Sequence, residues 1–509
     1  MSLICFKDLT FFYPNCKKPA LSNINLSIEE GEIFIIMGEN TAGKTTFCKL
    51  INGIAPLLTE GKMSGKVFTD GIDTSESSVS KLALKAGIVL DDPDAQIFTQ
   101  TVFHEAAFAL ENILLEPEEI KTRVNFALNA VGLNGFEDRA PNTLSGGEKQ
   151  RLSIAASLAM KGKILILDEP LCRLDPDGAK EVIAVLLEIR KKHNMTIVMT
   201  SHDSEVVSKI ADRVCVLKEG KIAALDTPGN IFANNELLYQ TGLQPINKEE
   251  FLAKTQSTAK SAKLIYNFPS LNELGVLSEL SAFARGSRSC IIQIKNLSFK
   301  YPNGIGIQNI DLTIEENDFI ALIGKNGCGK TTLIKNIAGL LKPASGEIFI
   351  NGKNSKLLKT YDIAKEIGFV MQNPDTQLFT DSVFNEVCFG LKNLRIPKNE
   401  IKKRVQLALE TVGLQNESDS FPHALNKSDR TKAVIACVLA MGVKTLIFDE
   451  IDAGNDYKGN IKIMELAKEL NAQGFTIIFI THNMFLAEGY AKRIIKMDRE
   501  GIISDERRE

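Results

Sequence analysis

The sequence predicts an α/β fold built twice in one chain. It repeats itself once, in the same order, at an offset of roughly 280 residues; that is far longer than a solenoid period and indicates a tandem duplication. In each copy, short apolar runs of strand length alternate with helical patterns, which predicts a largely parallel sheet. In each copy a glycine-rich loop follows one of these runs and opens a helix. Such sheets gather their active groups at the carboxyl ends of the strands.

In chain order, LSNIN..I at 21–28 is echoed by IQNID..I at 307–314. The β-rich runs 32–37 and 318–323 end in the glycine loops, GENTAGKTT at 38–46 and GKNGCGKTT at 324–332. GIVLDDPDAQIF at 87–98 matches GFVMQNPDTQLF at 368–379. The runs 163–167 and 444–448 read as buried strands ending in Asp168-Glu169 and Asp449-Glu450. Helical patterns follow at 178–192 and 458–471, and strands at 195–200 and 475–481 lead to His202 and His482. The first copy is expected over residues 1–225 and the second over 291–509. The stretch 226–290 between them is punctuated by Pro228, Gly229, Pro245 and Pro269. Its apolar clusters at 237–238, 264–266, 271, 274 and 276–277 predict a small helical appendage followed by a connector, rather than a bare linker.

Composition sets the outer bounds. A chain of 509 residues, 44% hydrophobic and 24% charged, is ordinary globular protein with enough length to bury a core in each copy. Disordered, collagen-like and coiled-coil classes are excluded. Sixty basic against 63 acidic side chains, a net charge of −3, argues against a general nucleic-acid binder. The nine cysteines form no CxxC pair and suit small core residues in a reducing cytosol. No apolar run approaches the ~20 residues that span a bilayer, and the first eight residues lack a signal-peptide pattern. A role at a membrane would therefore take its spans from other chains.

Both glycine loops fit GxxxxGK[ST]: Gly38, Gly43, Lys44 and Thr45 in the first copy, Gly324, Gly329, Lys330 and Thr331 in the second. The backbone N–H groups of such a loop and the start of its helix cradle phosphates; the lysine reaches the β- and γ-phosphates and the hydroxyl serves Mg²⁺. Asp168 and Asp449, each ending a buried strand, are expected to hold Mg²⁺, with Glu169 and Glu450 orienting the attacking water. Two surface acids at a strand end would look the same, but their place after a phosphate loop favours the catalytic reading. His202 and His482 occupy equivalent places in both copies and are expected to sense the γ-phosphate.

One further motif is specific: Leu144-Ser145-Gly146-Gly147-Glu148-Lys149-Gln150-Arg151. A Ser-Gly-Gly that opens a helix offers a hydroxyl and backbone N–H groups to an anion, although an ordinary capped helix start shares that look. With the loops above, it resembles the signature of the ATP-binding cassette (ABC) ATPases, and the resemblance covers both copies. It implies two tandem P-loop NTPase domains, each a mainly parallel sheet core with an antiparallel β part and a helical signature subdomain, using ATP and Mg²⁺. It further implies head-to-tail pairing, in which each ATP lies between the P-loop of one cassette and the signature of the other. The P-loop residues are then Gly38, Glu39, Asn40, Gly43, Lys44, Thr45 and Thr46, or Gly324, Lys325, Asn326, Gly327, Cys328, Gly329, Lys330, Thr331 and Thr332. Ser145, Gly146 and Gly147 are the signature. The resemblance puts Tyr13 and Tyr301 against adenine, with strand packing as the lesser alternative, and counts Gln372 among the catalytic and metal-binding residues.

Asp92-Pro93-Asp94-Ala95-Gln96-Ile97-Phe98 and Asn373-Pro374-Asp375-Thr376-Gln377-Leu378-Phe379, followed by Glu105 and Glu386, look like the energy-coupling-factor and cobalt-importer branch. In that branch this segment touches a membrane coupling subunit; the plainer reading is a capped helix with its Phe in the core. The branch implies uptake of a vitamin or metal cation. It also implies a membrane-spanning coupling subunit, substrate-binding membrane subunits and a place on the cytoplasmic face of the cell membrane.

The copies depart from the family pattern unequally. Asp91 stands where the second copy has Gln372, and Thr41 where it has Gly327, a poor choice if the position needs positive φ. Opposite LSGGEKQR the second copy reads Leu425-Asn426-Lys427-Ser428-Asp429-Arg430-Thr431-Lys432, with both glycines gone. The stretch Ile451-Asp452-Ala453-Gly454-Asn455-Asp456 is also unusual. Under head-to-tail pairing the main defects fall on one composite site. The expectation is one competent site, with the second P-loop, Gln372, Asp449, Glu450 and His482, and one degenerate site that mainly binds nucleotide. Three other readings remain: a sugar-importer ATPase, a soluble tandem cassette acting on ribosomes, and a DNA-repair cassette pair. The first is disfavoured by the intact second P-loop. The second is disfavoured by the acidic balance and the broken signature, and the third by the lack of a coiled coil or zinc-type cysteine pairs.

Overall fold

The computed structural model describes residues 2–172, 174–246, 289–302, 304–499 and 501–508. The chain divides into two compact units, with the change-over after Ile246. The first contains β1 (Ser2–Phe12), β2 (Leu21–Glu29), β3 (Ile33–Gly38), β4 (Lys62–Thr69), β5 (Ile72–Asp73), β6 (Ala86–Val89), β7 (Ile164–Leu167), β8 (Thr196–Thr200), β9 (Arg213–Lys218) and β10 (Lys221–Asp226). An antiparallel sheet runs β2-β1-β4-β5. A second sheet runs β10-β9-β3-β8-β7-β6 and is parallel except at β10.

β3, β7 and β8 read IFIIMG, ILIL and TIVMT and are buried throughout. Such unbroken apolar runs mark parallel strands covered on both faces. The period of two then sorts their side chains. Phe34 and Ile36 face one cluster, in which the antiparallel sheet lies over the loop helix Lys44–Ile51 and Phe6 stacks on Phe47 at 4.3 Å. Ile33, Ile35 and Met37 face the other, against helices Val102–Asn112, Pro117–Ala130, Gly146–Ala159 and Pro176–His193.

Beyond β10 two short helices, Pro228–Ala233 and Asn235–Thr241, add Ile231, Leu238 and Leu243 to that second cluster. The chain then turns at Gly242 (φ 64°), so close to Glu39 that a Cβ on Gly242 would lie 2.8 Å from the Glu39 side chain. The apolar clusters expected at 264–266, 271, 274 and 276–277 lie outside the described residues.

The second unit repeats the plan with β11 (Cys290–Lys300), β12 (Gly306–Glu315), β13 (Phe319–Gly324), β14 (Ser345–Ile350), β15 (Lys353–Asn354), β16 (Ile367–Val370), β17 (Thr445–Asp449), β18 (Thr476–Ile480), β19 (Arg493–Asp498) and β20 (Gly501–Arg507). Its sheets run β12-β11-β14-β15 and β16-β17-β18-β13-β19-β20, the same two orders. In each unit the strand entering the glycine loop therefore neighbours the strand leading to His, which neighbours the strand ending in Asp-Glu. Three loops that are distant in sequence open side by side. Among the described residues no helix is long and apolar enough to cross a membrane.

Phe47 joins the loop helix to the antiparallel sheet and is fully buried. Phe47→Ala is expected to cost the first unit about 3–5 kcal/mol, read as a shift in its urea unfolding midpoint.

Candidate functional site

Each glycine loop leaves its strand under a neighbouring carbonyl. Gly38 has φ 148°, and a Cβ there would lie 2.3 Å from the Leu217 oxygen of β9; Gly324 has φ 153° and meets the Met497 oxygen of β19 at the same 2.3 Å. Only glycine passes. The lysine at the helix start then folds back beneath the loop. Lys44 Nζ donates to the carbonyls of Gly38 (3.1 Å) and Glu39 (3.3 Å), and Lys330 Nζ to those of Gly324 (2.8 Å) and Lys325 (3.0 Å). In the second unit a concave space of about 400 Å³ opens here, lined by Tyr301, Asn326, Gly327, Lys330, Thr331 and Glu450 among others. Tyr301 thus borders the phosphate loop. Tyr13 packs edge-on against Phe11, and its hydroxyl lies 3.0 Å from that of Thr46.

The strand-end acids stand below. Thr331 Oγ1 donates to Asp449 Oδ1 at 3.1 Å. Burial, then the charge of Glu450, pushes the Asp449 carboxyl up to about 6 against the pull of Thr331 and nearby lysines. In the first unit Thr200 donates to Asp168 at 2.7 Å; burial raises this carboxyl too, opposed by hydrogen bonds from Thr200 and Thr45. A hydroxyl beside a buried carboxylate is a hard-oxygen set that fits Mg²⁺ completed by phosphate and water oxygens.

Glu169 and Glu450 both have left-handed backbones, φ 50° and 47°, which turns their carboxylates out of the strand. Their partners differ. Glu169 Oε1 lies 3.0 Å from His202 Nε2 and 3.7 Å from Lys44 Nζ. Burial would raise its carboxyl, but the combined His202 and Lys44 interactions win and hold it at about 2. Glu450 Oε1 lies 3.2 Å from His482 Nε2, while Oε2 accepts from Gln372 Nε2 at 2.8 Å. Burial again opposes ionisation, and His482 and Lys330 again outweigh it. Gln372, expected at the metal as well, is brought to Glu450. At its counterpart, Asp91 is exposed, and its negative charge pushes Asp168 up further. Thr41 has φ 68°, close to the 74° of Gly327, so the position does require the left-handed region and the first loop meets it with a β-branched residue.

Ser145 caps the helix Gly146–Ala159, accepting from Glu148 N at 3.3 Å while Glu148 accepts from Ser145 N at 2.7 Å. At the start of Lys427–Ala440 the cap is Asn426, and Asp429 is occupied by Asn426 (2.6 Å) and Lys432 (3.0 Å). Lys427, in the place of Gly146, lays its ammonium on the Ala453 carbonyl at 2.6 Å. The place of Gly146 is thus filled by a side chain bound within the same unit.

The Pro-Asp-x-Gln segments are braced from inside. Gln96 accepts from Leu90 N (3.1 Å) and donates to Ile88 O (3.2 Å); Gln377 does the same with Met371 (2.7 Å) and Phe369 (3.0 Å). Buried Glu105 and Glu386 accept the backbone N–H groups of 98–99 and 379–380. Phe98 and Phe379 do not enter the core: they are 66% and 63% exposed. Each stands edge-on to a second half-exposed ring, Phe108 or Phe389, at 4.7 and 4.8 Å. The sequence reading missed these second rings; the signal was a Phe ten residues after the first in both copies.

A family profile described as ABC transporter matches residues 21–172 and 307–453. The chain belongs to the ABC transporter family. An ABC transporter ATP-binding protein of Caldanaerobacter subterraneus subsp. tengcongensis is 37% identical over 98% of this chain and 90% of its own length. One from Methanosarcina mazei is 37% identical over 99% and 89%. Among solved structures, CbiO1 from Clostridium perfringens, described as part of the ABC transporter complex CbiONQ, is 35% identical. It covers 47% of this chain and 94% of its own, with a TM-score of 0.42. The ABC ATP-binding proteins are ATPases, so the two units are ABC ATPase cassettes and the molecule binds and hydrolyses ATP.

Thr41→Gly is expected to raise stability by up to about 1 kcal/mol, the relief of left-handed strain less the entropy that glycine adds to the unfolded chain. Chemical denaturation of the full chain reads it; a loss of stability would show that the Thr41 side chain contributes more than its backbone costs.

Proposed function

We propose that the chain powers a multi-subunit membrane importer of the energy-coupling-factor type, with one competent and one degenerate composite ATP site. The observation that carries the asymmetry is the pair of hydrogen bonds from Gln372 and His482 onto the two oxygens of Glu450, where the first cassette has Asp91. On this reading Glu450 takes the proton of the attacking water, and Gln372 and His482 aim its carboxylate. Lys330 and the loop amides hold the phosphates, and Tyr301 borders the adenine. Thr331 and Asp449 would hold Mg²⁺, which supplies neutralisation of phosphate charge when bound. The competent site takes Ser145, Gly146 and Gly147 from head-to-tail pairing, within one chain or between chains. The degenerate site has Lys44, Asp168, Glu169 and His202 for nucleotide but is offered Asn426, Lys427 and Asp429 in place of a signature.

Two exposed aromatic pairs, each on a segment braced by a half-buried Gln and a buried Glu, support docking of a membrane-spanning coupling subunit at the cytoplasmic face of the cell membrane. Apolar rings held rigidly at the surface suit a partner's apolar ridge. Resemblance to the branch supports a vitamin or metal cation as cargo, chosen by separate substrate-binding membrane subunits.

Glu450→Gln is expected to lower ATP turnover about 100-fold or more, and Glu169→Gln by less than about threefold, in steady-state assays of the full chain. Equal losses would end the asymmetry. Pull-down of the tagged protein from detergent-solubilised membranes is expected to recover a multi-span subunit with small hydrophobic proteins. Replacing Phe98 and Phe379 together by Ser is expected to abolish that recovery. Ribosomal proteins in place of membrane proteins would overturn the importer reading.

A further inference from the structure

The unusual stretch after Glu450 contains an acid that the reaction scheme leaves unused. Asp452 lies two residues beyond Glu450, where the first cassette has Leu171. Its Oδ2 accepts the hydroxyl proton of Thr481 at 2.5 Å, the length of a charge-assisted O–H···O⁻ bond. Thr481 is buried and immediately precedes His482. The same hydroxyl oxygen accepts the N–H of Asn483 at 2.9 Å, and Asn483 Oδ1 caps the next helix through Phe485 N at 3.0 Å. One hydroxyl therefore pins the backbone on both sides of His482, with its single proton committed to Asp452.

The acceptor is itself held. Asn455 Nδ2 donates to Ile451 O at 2.8 Å, Ala453 N to Glu450 O at 3.1 Å, and Lys427 reaches Ala453 O from the neighbouring helix. In the first cassette Ser201 accepts Asp203 N at 3.1 Å in the same way, but the side chain at 171 is a leucine, which offers its hydroxyl proton no acceptor.

We propose that Asp452 is a positioning residue for ATP hydrolysis: through Thr481 it holds the backbone that carries His482 beside Glu450. The proposal rests on the reading that the second P-loop serves the hydrolytic site. The physical need is plain. His482 has two anchors, its ring contact with Glu450 and its backbone. When the ring turns to a γ-phosphate, the first anchor is given up and the backbone, braced by the Asp452–Thr481 bond, must fix the approach. The device adds nothing to nucleotide affinity; it acts on geometry at the reacting end, where small displacements are costly.

The test is steady-state ATP hydrolysis by the full chain. Asp452→Leu and Thr481→Val are each expected to lower kcat about 10-fold with KM little changed. Asp452→Asn and Thr481→Ser, which keep an acceptor and a donor, recover most of that loss. The double variant Asp452→Leu/Thr481→Val falls no further than either single change, as expected of two ends of one bond. If Asp452→Leu does not fold, Thr481→Val against Thr481→Ser carries the comparison. Unchanged kcat in Thr481→Val, or multiplied losses in the double variant, overturns the proposal. Glu450→Gln run alongside separates the two readings. If it abolishes turnover while Asp452→Leu and Thr481→Val do not slow it, only the positioning role fails; if it leaves turnover intact, the hydrolytic assignment of the site fails and the positioning role with it.

Discussion

A carbonyl that tolerates no side chain governs the architecture of each cassette. The oxygens of Leu217 and Met497 stand where a Cβ would project from Gly38 and Gly324. The chain must pass beneath them as bare backbone, and having done so it turns a helix start toward the ends of the adjacent strands. The lysine at that start folds back and bonds the carbonyls of its own loop. Because the His strand and the Asp-Glu strand are the next two in the sheet, their ends fall within one side chain's length of that lysine. A site assembled from three distant segments thus follows from one steric condition and a strand order.

The differences between the cassettes lie in what completes a common frame. Each strand-end glutamate is ionised against the cost of burial, but by different company. In the first cassette a lysine and a histidine crowd one oxygen. In the second a histidine and a glutamine share the two oxygens between them. The second carboxylate is thus held from both oxygens by uncharged-capable donors, and the first from one oxygen by a histidine and the loop lysine.

Much of this was legible in the sequence because the phosphate loops, the strand-end acids and the histidines are local patterns at strand termini, and strand termini converge in a parallel sheet. What was not legible depends on tertiary direction. Gln372 and Gln377 lie five residues apart, and nothing in their spacing tells that Gln372 reaches Glu450 while Gln377 braces backbone at Met371 and Phe369. For Phe98 and Phe379 a core place was the alternative to a partner-facing one, and their exposure follows from segments braced by Glu105 and Glu386. The loss of the second signature was plain as missing glycines, but that Lys427 would settle on Ala453 was not, since a long flexible side chain has many destinations. The strain at Thr41 was foreseen as a condition on φ, and its value comes from the fold.

The left-handed glutamates have a historical meaning. Glu169 and Glu450 share φ values within a few degrees, 50° and 47°, although one cassette has diverged at Asp91 and Thr41 and the other at its signature. At these glutamates and in the strand orders of both sheets, the backbone has been kept while neighbouring side chains diverged. The frame of a symmetric ancestor is therefore still present in both halves. What distinguishes the two sites is a short set of side chains on that frame, a change of fittings on one inherited scaffold.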